Sequence, residues 1–302
     1  MWSGRIFSIA GEIMKKNLNS PAVRFLYGTR PGRILLRWLL QSRIDRLAVR
    51  FLCSKFSRPL IGWYAKRHNI QLSKQDSCSF KSYREFFIRR RPNIQLDMQP
   101  EHLISPCDGW LSIFPVLADS SFNIKGSSYQ LADLLQDEQL AANYTGGDCL
   151  IFRLCASDYH HYCYIDNGYQ GECHHIAGEL HSVQPLACAV YPVYTLNRRC
   201  WSLLTTENFG SVVQTEIGAL IVGGIFNARQ NTRFCKGMEK GHFELAGSTI
   251  VLLFQKKRIK LRPELTQNRT HYDWTSSIDR LVPFLPWTIS IYFGCLYQHT
   301  DN

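Results

Sequence analysis

Residues 240–254 read KGHFELAGSTIVLLF. From Thr249 to Phe254 the residues are apolar or β-branched, the composition of a buried strand, yet the run is entered through Gly247 and Ser248. A serine at a strand's mouth most often only satisfies a turn. For Ser248 to do chemistry a base must take its proton and something must hold the charge that develops on its target, so partners must come from elsewhere in the chain.

Upstream, from LISPCDGWLSIF (103–114) onward, short apolar or alternating runs recur: CLIFRLCA, YHHYCYI, TEIGALIVGGIF and STIVLLFQ, separated by Gly, Asn and Asp. That pattern predicts a mainly β domain over residues 96–262, with one helix inside it at YQLADLLQDEQLAANY (129–144). Residues 1–95 read as helical and basic, with Pro92 ending the last helix after SYREFFIRR. Residues 263–302, including LVPFLPWTISIYFGCLYQ broken by Pro283 and Pro286, show no period and form a C-terminal segment of unknown role. The expected fold class is therefore α+β, a mainly β catalytic domain with a basic helical N-terminal region. Internal repeats and low-complexity tracts are absent from the sequence.

The 302 residues are 45% hydrophobic and 20% charged, which excludes a disordered chain and one integral to a membrane. Charge is unevenly spread: residues 1–100 hold 20 Lys and Arg against 5 Asp and Glu, and the remainder holds 15 against 19. The aliphatic residues among these arginines favour anionic lipid headgroups over nucleic acid as the partner. GRILLRWLLQSRIDRLAVRFL (32–52) cannot span a bilayer, because Arg33, Arg37, Arg43, Arg46 and Arg50 interrupt it. It can lie in the interface with Ile34, Leu35, Trp38, Leu39, Leu47 and Phe51 turned to the lipid, although Leu36, Leu40 and Ile44 fall on the basic side and a core-packing helix fits equally well. The 11 cysteines include no Cys-x-x-Cys pair, and with no cleavable signal peptide they read as reduced thiols of a cytosolic compartment.

Three features carry residue types that chemistry requires: Asp108 before Gly109 in LISPCDGW, the adjacent His160 and His161 in SDYHHYCYIDNG, and the Gly-rich EIGALIVGGIF. Each also has an ordinary reading, as a turn, as satisfied polar groups on a strand, or as close backbone approach. Taken together and in order, SYREFFIRR, LISPCDGW, IKGSSYQLADLL, CASDYHHY, GALIVGGI and KGHFELAGSTIVLLF resemble phosphatidylserine decarboxylase, a pyruvoyl-dependent, self-processing family, over about residues 75–260.

The resemblance implies that Ser248 attacks the Gly247 carbonyl, turning the amide into an ester; a glycine there permits the backbone to bend without a Cβ clash. β-Elimination and hydrolysis of the dehydroalanine then leave a pyruvoyl group at residue 248 and two chains, 1–247 and 248–302. By the same resemblance the pyruvoyl cofactor forms a Schiff base with the amine of phosphatidylserine and takes up the electrons released with carbon dioxide, yielding phosphatidylethanolamine. Asp108 would orient, and His160 or His161 accept, the proton of Ser248. The implied partners are phosphatidylserine, an anionic membrane surface and the two cleavage products themselves, with no nucleic acid and no metal. The implied location is peripheral, on the cytoplasmic face of the membrane.

The match departs from the family at two places. Where the family has Asp-Tyr-His-Arg-x-His, this chain has Asp158-Tyr159-His160-His161-Tyr162-Cys163. On a strand His161 and Cys163 share one face and His160 the other, so His160 is the direct match and His161 a second candidate for the imidazole lost at 163. After IVLLFQKKRIKLRPEL the chain becomes unfamiliar and apolar. Three rival readings follow: a Ser248-His160-Asp108 hydrolase, which lacks a Gly-x-Ser-x-Gly elbow; zinc bound through His160, His161, Cys163, Cys173, His174 and His175, whose spacing fits no known pattern; and a membrane-docking homologue without turnover.

Overall fold

The basic N-terminal third folds as helix and the punctuated apolar runs fold as sheet in the computed structural model, which describes residues 19–41, 44–68, 70, 72, 79–90, 96–124, 127–155, 158–219, 224–245, 248–261 and 295–298. Helices α1 (Pro21–Gly28), α2 (Arg30–Gln41), α3 (Ile44–Leu52), α4 (Pro59–Arg67) and α5 (Tyr83–Phe87) come first. They are followed by β1 (His102–Ile104), β2 (Trp110–Pro115), the hairpin β3 (Ser121–Ile124) and β4 (Ser127–Gln130), α6 (Leu131–Leu135) and α7 (Glu138–Ala142). Next are β5 (Asp148–Leu154), β6 (His161–Cys163), β7 (Gly168–Ile176), α8 (Pro185–Val190), α9 (Val193–Leu196), β8 (Arg199–Thr206) and β9 (Ser211–Gly218). The chain continues through β10 (Gly224–Asn227), β11 (Thr232–Phe234), β12 (Glu239–Glu244), β13 (Ser248–Phe254), β14 (Lys260–Leu261) and β15 (Cys295–Gln298). This is the expected α+β architecture with a mainly β catalytic region.

β13 lies inside a seven-stranded antiparallel sheet of order β11-β7-β8-β9-β13-β5-β2. Every residue of it is buried, because both faces of the sheet are covered, and that is why its sequence is a continuous apolar run without polar alternation. Val251 and Leu253 join Ile151, Val213 and Ile217 in one core, which α1 and α6–α9 cover through Tyr27, Leu131, Leu134, Ala187 and Tyr194. Ile250, Leu252 and Phe254 join Phe152, Leu150 and Val212 in a second core, completed by Tyr162 and Phe243 of the small sheet β10-β12-β6.

Three sequence expectations are corrected. The helix expected over 129–144 is two, because Gln136 takes a left-handed conformation and Asp137 caps a new helix by accepting from Leu140 N. The carbonyls at the end of α6 are claimed by tertiary donors, Arg199 to Asp133 O and Leu134 O and the Trp201 indole to Leu135 O, so the helix has no need to continue. α5 stops at Phe87, well before Pro92, which lies outside the described residues. The Gly-rich strand expected at 216–226 is the end of β9 and the start of β10, with 220–223 outside the described residues. Of the unplaced C-terminal segment, Cys295–Gln298 is the central strand of a sheet with β1 and β14.

α2 and α3 turn Ile34, Leu35, Trp38, Leu47 and Phe51 outward, and bury Leu36. Phe25, Phe56 and Trp63 are likewise exposed. Arg43 and the side chain of Ile44 lie outside the described residues. Among the described residues no helix is long and apolar enough to cross a membrane.

α1 is anchored to the main core by one polar relay. Tyr27 OH accepts from Ser182 N (2.9 Å) and donates to His181 Nδ1 (3.1 Å), while His181 Nε2 donates to Glu179 (2.6 Å). These directions are those of a neutral imidazole, which burial, opposed by Glu179, favours by holding His181 below its ordinary value of 6.5. A depressed histidine contributes stability that is complete above the unfolded value and is lost as pH falls through the folded one. Urea unfolding midpoints are therefore expected to drop between about pH 7 and about pH 5. Tyr27→Phe is expected to cost about 1–3 kcal/mol at neutral pH, read from urea unfolding, by leaving the Ser182 N–H and His181 Nδ1 unpaired.

Candidate active site

Ser248 opens β13 and sits in register between Leu154 of β5 and Gly218 of β9. It is 1% exposed, and its hydroxyl has no hydrogen-bond partner among the described residues. The ordinary role of such a serine, satisfying a turn, is thus not the one seen. Gly247 and Ala246 lie outside the described residues, but Leu245 just before them is buried in a left-handed conformation (φ 48°), which costs a non-glycine residue about 1–2 kcal/mol. Its side chain packs with Ile61, Tyr64, Tyr83, Phe86 and Phe87 of α4 and α5, and that burial offsets the strain.

Asp108 occupies the turn ahead of β2 and is fully buried. The turn closes tightly because Ser105 Oγ donates to Cys107 O, and because Gly109 approaches β5 so nearly that a Cβ would lie 2.9 Å from Arg153 O. Two backbone hydrogen bonds connect the elements: Cys163 N donates to Pro106 O (2.8 Å), and Phe243 N of β12 donates to His160 O (2.9 Å). Asp108, His160 and Ser248 are therefore buried on elements laced to one another: the turn at the head of β2, the residue preceding β6, and the start of the strand that β12 leads into.

The two adjacent histidines differ in chemistry. His160 Nδ1 donates to Asp158 O (2.9 Å), and its ring packs on Phe87 at 4.3 Å, so the neutral ring keeps its lone pair on Nε2 as a proton acceptor. His161 points to the other face, with Nε2 on Ile88 O and Nδ1 on Glu239 Oε1, both 2.9 Å. Both of its ring nitrogens are thus engaged, by a carboxylate and a carbonyl. Cys163, where the family has histidine, is enclosed with Ile104 and Tyr159, and burial pushes its thiol far above the ordinary range, so it supplies no base.

The six residues weighed for zinc do not converge. Among the described residues His161 alone of them belongs to a potential ligand group, with Glu239 and His242, whose distance along the chain left no spacing signal. His174 instead stacks on Trp201 at 3.9 Å. Cys173 and His175 line a cavity of about 390 Å³ with Phe226, Asn227 and Arg229. Cys200 foremost, and then Lys240, lower the Cys173 thiol to about 7.

A second feature without a sequence signal is a wholly buried ion pair. Lys240 Nζ donates to Glu216 Oε1 (2.7 Å) and Asn227 Oδ1 (3.0 Å), while Asn227 Nδ2 donates to Glu216 Oε2 (3.1 Å) and Tyr162 OH to Asn227 Oδ1 (3.1 Å). Both charged side chains are 0% exposed.

Compared with known families, the chain matches the one described as phosphatidylserine decarboxylase over residues 83–273, beyond the residues that carry the motifs. It is 39% identical over 256 residues to a protein of Clostridium acetobutylicum named phosphatidylserine decarboxylase proenzyme 2, covering 84% of this chain and 88% of that one. Phosphatidylserine decarboxylase proenzymes of Ruminiclostridium cellulolyticum (39% over 248 residues, 80% and 83% covered) and Clostridium botulinum (32% over 263 residues, 83% and 88% covered) are similar to it as well. Likeness along this much of the chain defines a carboxy-lyase. The chain belongs to the phosphatidylserine decarboxylase family.

Lys240→Met strands the Glu216 charge in the interior and is expected to destabilise the fold by about 3–5 kcal/mol, read from urea unfolding. The double change Lys240→Met with Glu216→Leu is expected to recover most of that loss. A double variant no more stable than the single would show that the cost lies in packing and not in the unpaired charge.

Proposed function

We propose that this chain cleaves itself between Gly247 and Ser248 and, with the pyruvoyl group so formed, decarboxylates phosphatidylserine to phosphatidylethanolamine at an anionic membrane surface. The observation that carries the reading is Ser248 itself: a buried hydroxyl with no structural partner among the described residues, at the start of an interior strand of the large sheet and three residues after a strained Leu245. Such a residue fits a nucleophile, and it fits the precursor of a group that must be kept from water.

In self-cleavage His160 Nε2 takes the Ser248 proton, and Asp158 O holds the ring in the tautomer that allows it. Asp108 supplies a buried negative charge in the same region, which suits the imidazolium that forms. The Ser248 Oγ bond to the Gly247 carbonyl carbon forms as the 247–248 C–N bond breaks. Elimination across Cα–Cβ of residue 248 releases the Gly247 carboxylate, and water then replaces the freed nitrogen, which departs as ammonia. Once present, the ketone supplies an electrophile and electron sink for loss of carbon dioxide from an amine-bearing substrate. The packing of Phe87 on His160 and the burial of Ser248 exclude bulk water from this position.

The lipid surface is read from α2 to α4. Exposed Ile34, Trp38, Leu47, Phe56 and Trp63 stand among exposed Arg37, Arg46, Arg50, Lys55 and Arg67, a combination that suits shallow insertion beside anionic headgroups. The sequence-derived location, peripheral on the cytoplasmic face, is consistent with it.

Intact-mass measurement of the purified protein is expected to find two chains, 1–247 and 248–302, the second blocked at its N-terminus, with Ser248→Ala remaining a single 34.9 kDa chain. His160→Ala is expected to slow cleavage by about 10²-fold or more, and His161→Gln by far less. An uncut parent chain removes the cofactor and the reading with it. Sedimentation with phosphatidylserine vesicles is expected to weaken with salt, with Arg33→Gln and Arg37→Gln, and with Trp38→Ala. Binding indifferent to all of these would place the lipid contact elsewhere.

A further inference from the structure

The described residues hold one cluster that self-cleavage leaves unused, at the junction of β6, β12 and the end of α5. His161 and His242 face each other across the β6–β12 pair, and Glu239 stands opposite Cys163. Glu239 and His242 are three apart, a spacing that places side chains on opposite faces of a regular strand. An irregularity between Glu239 and Gly241 brings both to the His161 face and at the same step turns Lys240 inward. One ligand atom from each of His161, Glu239 and His242 lies within 4.8 Å of the others.

The hydrogen bonds around His161 orient its ring so that Nδ1 faces Glu239. The Ile88 carbonyl can only accept, so His161 Nε2 carries a hydrogen, and a neutral ring then presents its Nδ1 lone pair to a Glu239 carboxylate oxygen 2.9 Å away. His161 Nδ1 and Glu239 Oε1 thus stand side by side, as two ligand atoms of one site would. Metal-bound histidines usually donate their other N–H to a backbone carbonyl, which is the Ile88 contact. His242 contributes an Nε2 that is buried and has no hydrogen-bond partner among the described residues, with its ring 5.0 Å from that of His161 and 4.9 Å from Phe226. Arg90 reaches only the other Glu239 oxygen, at 3.6 Å, and its side chain is 81% exposed, so Oε1 remains available to an ion. Arg84 is engaged by Glu244.

We propose that His161, Glu239 and His242 form a binding site for one divalent transition-metal ion of the zinc class. Two imidazoles and a carboxylate are a donor set that suits Zn²⁺ and leaves a fourth position for water. Bonds of about 2.0–2.2 Å place tetrahedral ligand atoms roughly 3.3 Å apart, which rotation of the Glu239 and His242 side chains supplies from the observed spacing. The ion would join His161 to Glu239 and His242 and clamp β6 to the strand that runs into Ser248. His242 precedes that serine by only six residues.

Dialysis of the metal-stripped, untagged full chain against Zn²⁺ is expected to load one ion per chain, and Co²⁺ in its place to develop visible absorption. His242→Ala and Glu239→Gln are each expected to weaken binding by at least about 10-fold, whereas His174→Ala and His175→Ala leave it unchanged. Zn²⁺ is expected to raise the unfolding midpoint of the parent but not of the His242→Ala chain. Loading that never saturates at one ion, or that is equal in the parent, His242→Ala and Glu239→Gln, overturns the site. Glu239→Gln keeps a polar partner for His161 and carries the test if His242→Ala fails to fold. The same loading is expected in the uncleavable Ser248→Ala chain, so this site stands or falls separately from self-cleavage.

Discussion

The Lys240–Glu216 ion pair is the constraint on which the arrangement around Ser248 depends. Both charges are removed from water, so their attraction, together with the Asn227 and Tyr162 hydrogen bonds, has to offset a desolvation penalty of several kcal/mol per ion. Apolar contacts between the small sheet and the large one would tolerate a slide of either layer. A buried ion pair tolerates none. Because β12 carries Lys240 and leads into Ser248, while β9 carries Glu216 and flanks Ser248, the pair sets the strand before Ser248 against the strand beside it.

The same segment is held from the opposite side by the N-terminal helices. Leu245 keeps a left-handed backbone only because its side chain is enclosed by α4 and α5, so the helices that present apolar and basic residues to the outside also shape the turn before residues 246–248. Tyr27 on α1 enters the main core through His181 and Ser182. The helical region and the β region thus share packing at two separate places.

His160 and His161 show how completely environment separates neighbouring residues of one type. A single carbonyl on His160 fixes the tautomer that accepts a proton. On His161 a carbonyl and a carboxylate occupy both ring nitrogens. Histidine at 161, where the family has arginine, still presents a side-chain nitrogen to Glu239.

Much of this protein was legible without a structure. Periodicity marked the β region, the basic helices and β13, because those signals are local: a strand covered on both faces must be apolar throughout, and an exposed helix can keep its arginines. The motif order pointed to the family and to Ser248, Asp108 and His160, since each sits in a short run with a recognisable turn. Other features were invisible for the same physical reason. The break at Gln136 depends on Arg199 and Trp201 taking the carbonyls of α6, the strand at 295–298 depends on partners far back in the chain, and Glu216–Lys240 and His161–Glu239–His242 unite residues that only a sheet irregularity and sheet stacking bring face to face. Residue types and their local order determined which elements form and which chemistry is available. The tertiary structure alone decided what His161 is bonded to and which charges meet in the interior, because those depend on desolvation and on hydrogen-bond partners that lie distant along the chain.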